Sequence, residues 1–388
     1  MDNSKARGRF AHIDDARSLV IFIVVLVHAS VTYSGIGGWY VVENRGKALG
    51  AASYAIMGLF NSFNQAWFMG IMFFFGGYFA REALARKGAF SFIRDRTARL
   101  GIPLFAFMFI VTPFLMYYLI NPTIYQPMGS FASLYVTRYL GELMFIGASG
   151  PLWFAATLLV FSLALVATVA IRGRLTRRVG NSGRAPSTRA IFALIGVIAA
   201  IAFVIRVFLP IGTSFFNYQF CFFASYVALF ALGSLGYSRG WFAALTSCKG
   251  SRWLTAALCV GIPLWVIICV AGGALTGDMG SISGGLTWQS AAYCVWESFT
   301  AVAMSLGLTA VLANRSRQGG AVSSFLARNS FSVYFFHPVF LIALTRLLHE
   351  WALPPPLKAL TVGMLAYLAT LSFSALVVRR IPWVKKYF

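Results

Sequence analysis

The chain has 388 residues, of which 59% are hydrophobic and 11% are charged, and its mean hydropathy is +0.76. This composition excludes an ordinary soluble protein and predicts an all-α, polytopic membrane protein. The formal net charge of +22 could indicate nucleic-acid binding, but in a membrane protein it first reflects the excess of basic residues in cytoplasmic loops. We therefore expect no nucleic-acid partner. The five cysteines show no CxxC pair and no metal-ligand spacing, so we expect neither a disulfide framework nor a metal.

Ten apolar segments have a length close to the ~20 residues that a bilayer requires, and they predict ten membrane-spanning helices. They lie at 17–35, 63–84, 100–120, 151–171, 190–209, 218–236, 253–272, 291–313, 326–347 and 357–378. If the N-terminus is cytoplasmic, most of the 32 basic residues fall in inside segments, which predicts that both termini lie inside. Because no soluble domain of ordinary size fits between the spans, we expect one membrane domain over residues 1–388.

The first predicted span begins at Arg17 and contains His28. The two residues are eleven positions apart, and eleven steps of ~100° make about three helical turns, so both side chains share one face, roughly 16 Å apart. Arg17 then lies at the cytoplasmic surface and His28 near the bilayer midplane. A histidine at that depth is costly and is a functional-site candidate, and imidazole suits a general base. The structural alternatives are a histidine satisfied by a neighbouring helix and an arginine that snorkels to the interface.

Two further motifs lie near the predicted membrane surfaces. Arg96 and Arg99, in a predicted cytoplasmic loop, form an RxxR pair one turn apart that presents two guanidinium groups to one anion, as phosphate recognition requires. Alternatively, they are topological charges. Trp153, at the outer start of the fourth span, is either an aromatic platform for a sugar ring or an interface tryptophan. Gly76 and Gly77 predict close helix packing.

Three polar residues lie deeper within predicted spans. Glu297 needs a partner, which is an acceptor hydroxyl, His28 or Arg206. Arg206, near the outer end of its span, either snorkels outward or binds an acceptor. His337 precedes a proline that frees a backbone carbonyl, so it contributes to local packing, to orientation of the site or to substrate contact.

Together these motifs resemble those of the acyltransferase-3 family of bacterial integral membrane acyltransferases. The resemblance extends from the first to the ninth span. Its motifs are Arg17-X10-His28, FFFGGYFA at 73–80, Arg96-TA-Arg99 followed by LGIP, PLWF at 151–154 and NSFSVYFFHP at 329–338. VTYSG after His28, RLGIP and the VIR that ends at Arg206 are similar to the branch containing the periplasmic-glucan succinyltransferase. Some members carry an additional SGNH esterase-like domain; we expect this membrane domain to act alone or with a partner.

The resemblance implies transfer of an acyl group, such as acetyl or succinyl, from cytoplasmic acyl-CoA to a hydroxyl of an exported glycan or lipid-linked sugar. It implies location in the bacterial inner membrane, surrounded by lipid, and a role for the arginine–histidine and RxxR motifs in donor binding and catalysis. We expect Arg17, Arg96 and Arg99 to bind the donor.

Catalysis is expected at His28 with Glu297, and acceptor contacts at Trp153, Arg206 and His337. Two other classes of protein stay open. One is a proton-coupled transporter or flippase of a sugar-containing lipid, and the other is a structural or sensory membrane protein. The acyl group, the acceptor, the choice between direct transfer and a covalent relay, and the oligomeric state also stay open.

Overall fold

A computed structural model describes residues 11–43, 49–172, 185–241, 248–274, 279–315, 320–385 and 387. This part of the chain contains ten long helices. In order, they are α1 (Ala11–Ser34), α2 (Ala51–Lys87), α3 (Ala89–Ile120), α4 (Trp153–Arg172), α5 (Thr188–Phe208), α6 (Phe223–Arg239), α7 (Gly250–Ala271), α8 (Trp288–Arg315), α9 (Ala321–Leu347) and α10 (Pro355–Leu376). The described residues form no β-strand, and an isolated bridge joins Phe215 to Tyr218. The all-α prediction is confirmed.

Nine of these helices are long and apolar enough to cross a membrane. The other, α2, has 37 residues, but Asn61, Asn64 and Gln65 lower its hydropathy. So many apolar helices identify a multi-pass membrane protein. The number of crossings and the cytoplasmic location of both termini stay predictions.

Helix α3 begins earlier than the predicted third span and places Arg96 and Arg99 in a helix, where the sequence predicted a loop. Its backbone contains π-helical turns at Thr97–Gly101, Phe107–Val111 and Leu115–Ile120. Two prolines, at positions 103 and 113, lie between these turns. Proline has no backbone N–H, so widened turns absorb the missing hydrogen bonds and the helix continues.

Helices α2 and α6 cross closely, at a glycine in each. A Cβ atom on Gly77 would overlap the carbonyl of Phe230 in α6, and one on Gly233 would overlap the carbonyl of Phe74 in α2. Only glycine permits this approach of two backbones. In a membrane, where burial of apolar surface gives little driving force between helices, such close packing is a main source of association.

Helix α1 lies between α2, α8, α9 and α10. A hydrogen bond from Ser323 to the carboxylate of Asp15 joins it to α9. Helices α9 and α10 are joined in turn by the Ser374 hydroxyl, which donates to Asn329 Oδ1 at 2.7 Å. This central position allows one face of α1 to line an interior cavity.

Candidate active site

A cavity of about 420 Å³ lies among α1, α2, α3, α4 and α9, and we call it the inner cavity. Five cationic side chains and two carboxylates line it. They are Arg17, Arg86, Lys87, Arg96, Arg99, Glu82 and Asp95. Farther along α1 and α2 the wall is apolar, with residues such as Val20 and Met72. The inner cavity therefore combines a basic region with an apolar extension.

The three arginines predicted to bind the donor all line the inner cavity. Lys87 pairs with Asp95, and Arg17 Nη1 lies 3.3 Å from Asp14 Oδ1. The guanidinium of Arg96 lies over the ring of Phe92, 5.4 Å from its centroid. Arginine is suited to phosphate because its planar fork makes two parallel hydrogen bonds. The sequence analysis did not single out Arg86 and Lys87, because nothing local to them shows that they reach the same cavity.

A second cavity, of about 710 Å³, lies nearer the other end of the helices, and we call it the outer cavity. Its wall combines aromatic rings and side-chain amides with aliphatic residues and glycines. The residues used below are His28, Trp39, Tyr40, Asn61, Gln65, Trp153 and Tyr226. Among the described residues that line it there is no aspartate, glutamate, lysine or arginine.

The two cavities meet at three residues that line both, Val24, Met69 and Tyr334. We call these residues the collar. The Tyr334 hydroxyl donates a hydrogen bond to the carbonyl of Pro151, which fixes the ring in the collar. On α1, Arg17, Val24 and His28 share one face, so this face leads from the basic region through the collar to the outer cavity.

His28 forms a ring-to-ring hydrogen bond with His337, which is fully buried. The distance from His28 Nδ1 to His337 Nε2 is 2.9 Å, and His337 Nδ1 lies 2.8 Å from the carbonyl oxygen of Tyr334. Pro338 has no N–H to occupy that carbonyl, which lies four residues before it. A carbonyl only accepts, so His337 Nδ1 carries the proton and its Nε2 has the lone pair. His28 Nδ1 must then donate, and in the neutral form of the ring this leaves His28 Nε2 with the lone pair.

Trp39 lies on the ring of His28. The ring centroids are 3.8 Å apart and the planes are 15° from parallel. The chain reverses after α1 through Gly35 and Gly37, whose φ angles of 70° and 120° favour glycine. The sequence analysis missed Trp39. The glycine-rich GIGGWY was the available signal, but it does not reveal which ring the returning chain would meet.

The loop that carries Trp39 is fastened at Glu43. Its Oε1 lies 2.6 Å from Nζ of Lys358 in α10, and Lys358 also donates to the carbonyl of His349 at 2.7 Å. Lys358 is only 4% exposed. Removal of one partner from a buried ion pair of this kind is strongly destabilising, because the other charge would be left unpaired. It therefore holds the loop over the outer cavity.

Trp39 Nε1 and Asn61 Oδ1 are among the polar atoms at the outer cavity that are buried and have no hydrogen-bond partner among the described residues. The Asn61 amide donates to the Ser34 hydroxyl and to the Ile36 carbonyl at 3.3 and 3.1 Å. The pKa of the Tyr40 phenol is raised above its ordinary value, mainly because the group is buried, so the phenol stays protonated. Since buried polar groups usually have partners, these atoms are suited to bind hydroxyl groups.

Glu297 and Arg206 bind each other. Arg206 Nη2 lies 2.5 Å from Glu297 Oε2, and both side chains are almost completely buried. The guanidinium also lies over the rings of Phe222 and Tyr293, which line the outer cavity, whereas the ion pair itself does not line it. Of the partners considered for Glu297, the structure therefore brings it to Arg206. His28 instead has His337 as its partner.

Trp153 lines the outer cavity and its ring stacks on Tyr226, with centroids 5.7 Å apart. It lies one residue after the short helix Gly150–Leu152, so it is at the start of α4 as predicted. Among the described residues, no group of three histidine, cysteine, aspartate or glutamate side chains is placed to hold a metal ion.

The fold and the site define a multi-pass membrane protein in which a basic cavity and a polar, aromatic cavity meet beside paired histidines. The profile of the acyltransferase-3 family, described as an acyltransferase domain, matches residues 10–379. The chain belongs to this family and is an acyltransferase, as the sequence motifs predicted. No curated protein and no solved structure matches the chain. Its similarity to the succinyltransferase branch stays a prediction.

Proposed function

We propose that this acyltransferase transfers an acyl group from acyl-CoA in the inner cavity to a hydroxyl of an exported glycan or lipid-linked sugar in the outer cavity. The observation that carries the proposal is the place of His28. Its ring lies just beyond the collar from Arg17, and its hydrogen bond to His337 leaves Nε2 unprotonated.

In the proposed donor complex, Arg17, Arg96 and Arg99 bind the phosphates of CoA. Each guanidinium donates two parallel hydrogen bonds to phosphate oxygens. The pantetheine arm follows the apolar face of α1 past Val20 to Val24. The thioester thereby reaches the collar, while the charged part of the donor stays among the arginines. This path gives the basic and apolar regions of the inner cavity separate roles.

The acceptor hydroxyl gives its proton to His28 Nε2 as its oxygen attacks the thioester carbonyl carbon. The tetrahedral intermediate then breaks its carbon–sulfur bond, and the imidazolium returns the proton to the departing CoA thiolate. Trp39 presents its ring face to the imidazolium, an arrangement that favours a cation. A direct transfer of this kind needs no covalent acyl-enzyme.

The acceptor sugar is placed by the wall of the outer cavity. Asn61 Oδ1 accepts from one hydroxyl, Trp39 Nε1 donates to another, and Trp153 supplies an aromatic face for the ring. In this proposal Glu297 and Arg206 support the cavity wall through Phe222 and Tyr293 rather than contacting the acceptor. The enzyme would act in the bacterial inner membrane, with CoA on the cytoplasmic side.

The test uses the purified full chain in lipid nanodiscs, with acetyl-CoA as donor and a membrane glycolipid extract as acceptor. We expect His28→Ala to reduce release of free CoA thiol at least ~100-fold, because it removes the general base. Binding of CoA should persist, because the arginines are unchanged. Val204→Ala is the matched control, since that side chain is 60% exposed and lines neither cavity.

Wild-type turnover by His28→Ala would overturn the mechanism. In the same preparation, Arg96→Ala with Arg99→Ala should raise the KM for acetyl-CoA and leave kcat less affected, because these side chains act only on the donor. Uptake or flipping of a sugar lipid driven by a pH gradient, without CoA release, would instead support the transporter alternative.

A further inference from the structure

The outer cavity has a property that bears on the identity of the acyl group. Its described lining offers hydroxyls, amides, indoles and apolar groups, but no lysine or arginine. In the proposed mechanism the thioester carbonyl lies at the collar, so the remainder of the acyl group projects past Val24 and Met69 into this cavity. The lining therefore determines which acyl groups it accepts.

Among the described residues, the cations nearest the outer cavity are all engaged outside it. Arg206 is paired with Glu297 outside the cavity, and Lys358 is paired with Glu43 above it. Arg17 and the other basic residues of the inner cavity lie on the far side of the collar. His28 must be neutral to act as a base, so it offers no positive charge to the acyl group.

We propose that the acyl group transferred by this enzyme is uncharged, and that acyl groups ending in a carboxylate, such as succinyl, are excluded. This inference rests on the proposed function. A carboxylate in the outer cavity would lose water without gaining a cationic partner. It would also favour the protonated form of His28 and so remove the base that the transfer needs.

A matched set of donors tests this inference without knowledge of the natural acceptor. Succinyl-CoA and its terminal amide have almost the same size and shape and differ in charge, and butyryl-CoA has the same chain length without the polar end. With the wild-type enzyme in nanodiscs and the same membrane glycolipid extract as acceptor, release of CoA thiol is measured for each donor. We expect kcat/KM for the amide and for butyryl-CoA to exceed that for succinyl-CoA at least ~100-fold.

A designed cation should relax this selectivity. Met69→Lys places an ammonium group at the collar with little change in side-chain length, and Met69→Leu is the uncharged control. We expect Met69→Lys to narrow the ratio of amide to succinyl turnover by at least ~10-fold and Met69→Leu to leave it unchanged. An unchanged ratio in Met69→Lys would contradict the inference.

Arg45 and Lys47 follow the loop that carries Trp39 and lie outside the described residues. Their joint replacement by glutamine should leave the donor ratio unchanged; a rise in the ratio would mean that they neutralise an acidic acyl group. Succinyl-CoA turnover equal to that of its amide would overturn the inference and leave the proposed function intact. Absence of turnover with every donor would instead overturn the proposed function.

Discussion

Pro338 determines how the two histidines of the site are oriented. Because Pro338 has no N–H, the Tyr334 carbonyl has no backbone donor and is free to accept from His337 Nδ1. His337 Nε2 then accepts from His28 Nδ1, which leaves Nε2 of a neutral His28 without a proton. In a serine protease a buried carboxylate performs the same orienting task. Within a membrane a buried carboxylate is costly, and a free carbonyl orients the base without adding a charge.

Substitutions of His337 can distinguish a role in orienting the His28 ring from a role in binding substrate. His337→Leu removes the acceptor for His28 Nδ1–H, so the base no longer has a fixed tautomer, and kcat should fall ~100-fold or more. His337→Gln supplies an amide oxygen near the former Nε2 and should recover kcat to within ~10-fold of wild type. The KM for acetyl-CoA should be unchanged in both variants. Equal kcat values for the leucine and glutamine variants in a CoA-release assay would show that His337 has only a packing role.

The site residues that the sequence alone could predict are those whose residue type is rare in their sequence context. Arg17 and His28 interrupt an apolar helix at a spacing that shares one face, so helix geometry alone relates them. Trp39 could not be found in this way, because tryptophan is ordinary near a membrane surface and its contact depends on two glycine turns. For Glu297 the sequence allowed three partners, and only the packing of α5 against α8 brings Arg206 to it.

At the scale of elements, α2 shows why a functional helix is difficult to recognise by hydropathy. Asn61 and Gln65 lower its apolar character, and both line the outer cavity. Farther along the same helix, Met69 belongs to the collar and Arg86 lies in the inner cavity. One helix thus lines both cavities, so its position against α6 helps to determine the shape of each cavity.

The crossing of α2 and α6 predicts a large difference between two adjacent glycines. Gly77→Ala would force a methyl group against the backbone carbonyl of Phe230, which cannot move without separating the helices, and should lower the free energy of unfolding by about 1–3 kcal/mol. Gly76→Ala meets only a side-chain methyl of Leu158, which can rotate away. Thermal unfolding in detergent measures both. Equal melting temperatures for the two variants would contradict the importance of this contact.

At the scale of the whole molecule, charged side chains are distributed unequally between the two cavities. The inner cavity is rich in guanidinium groups, while the described lining of the outer cavity has no formally charged side chain apart from a histidine that must be neutral to react. In the proposed mechanism, the polyanionic donor and the acceptor sugar therefore bind at different ends of α1. Under this proposal only the acyl group needs to pass the collar, so neither complete substrate would have to cross the membrane.

This separation predicts that the enzyme uses acyl-CoA from one side of the membrane, the side on which the bias of basic residues places both termini. Acetyl-CoA does not cross a sealed bilayer, so sealed inside-out vesicles should release CoA thiol into the medium and sealed right-side-out vesicles should not. Detergent should equalise the two preparations by admitting the donor to both faces. Vesicles containing His28→Ala provide the background rate. Equal release by the two sealed preparations would show that the inner cavity does not face the cytoplasm alone.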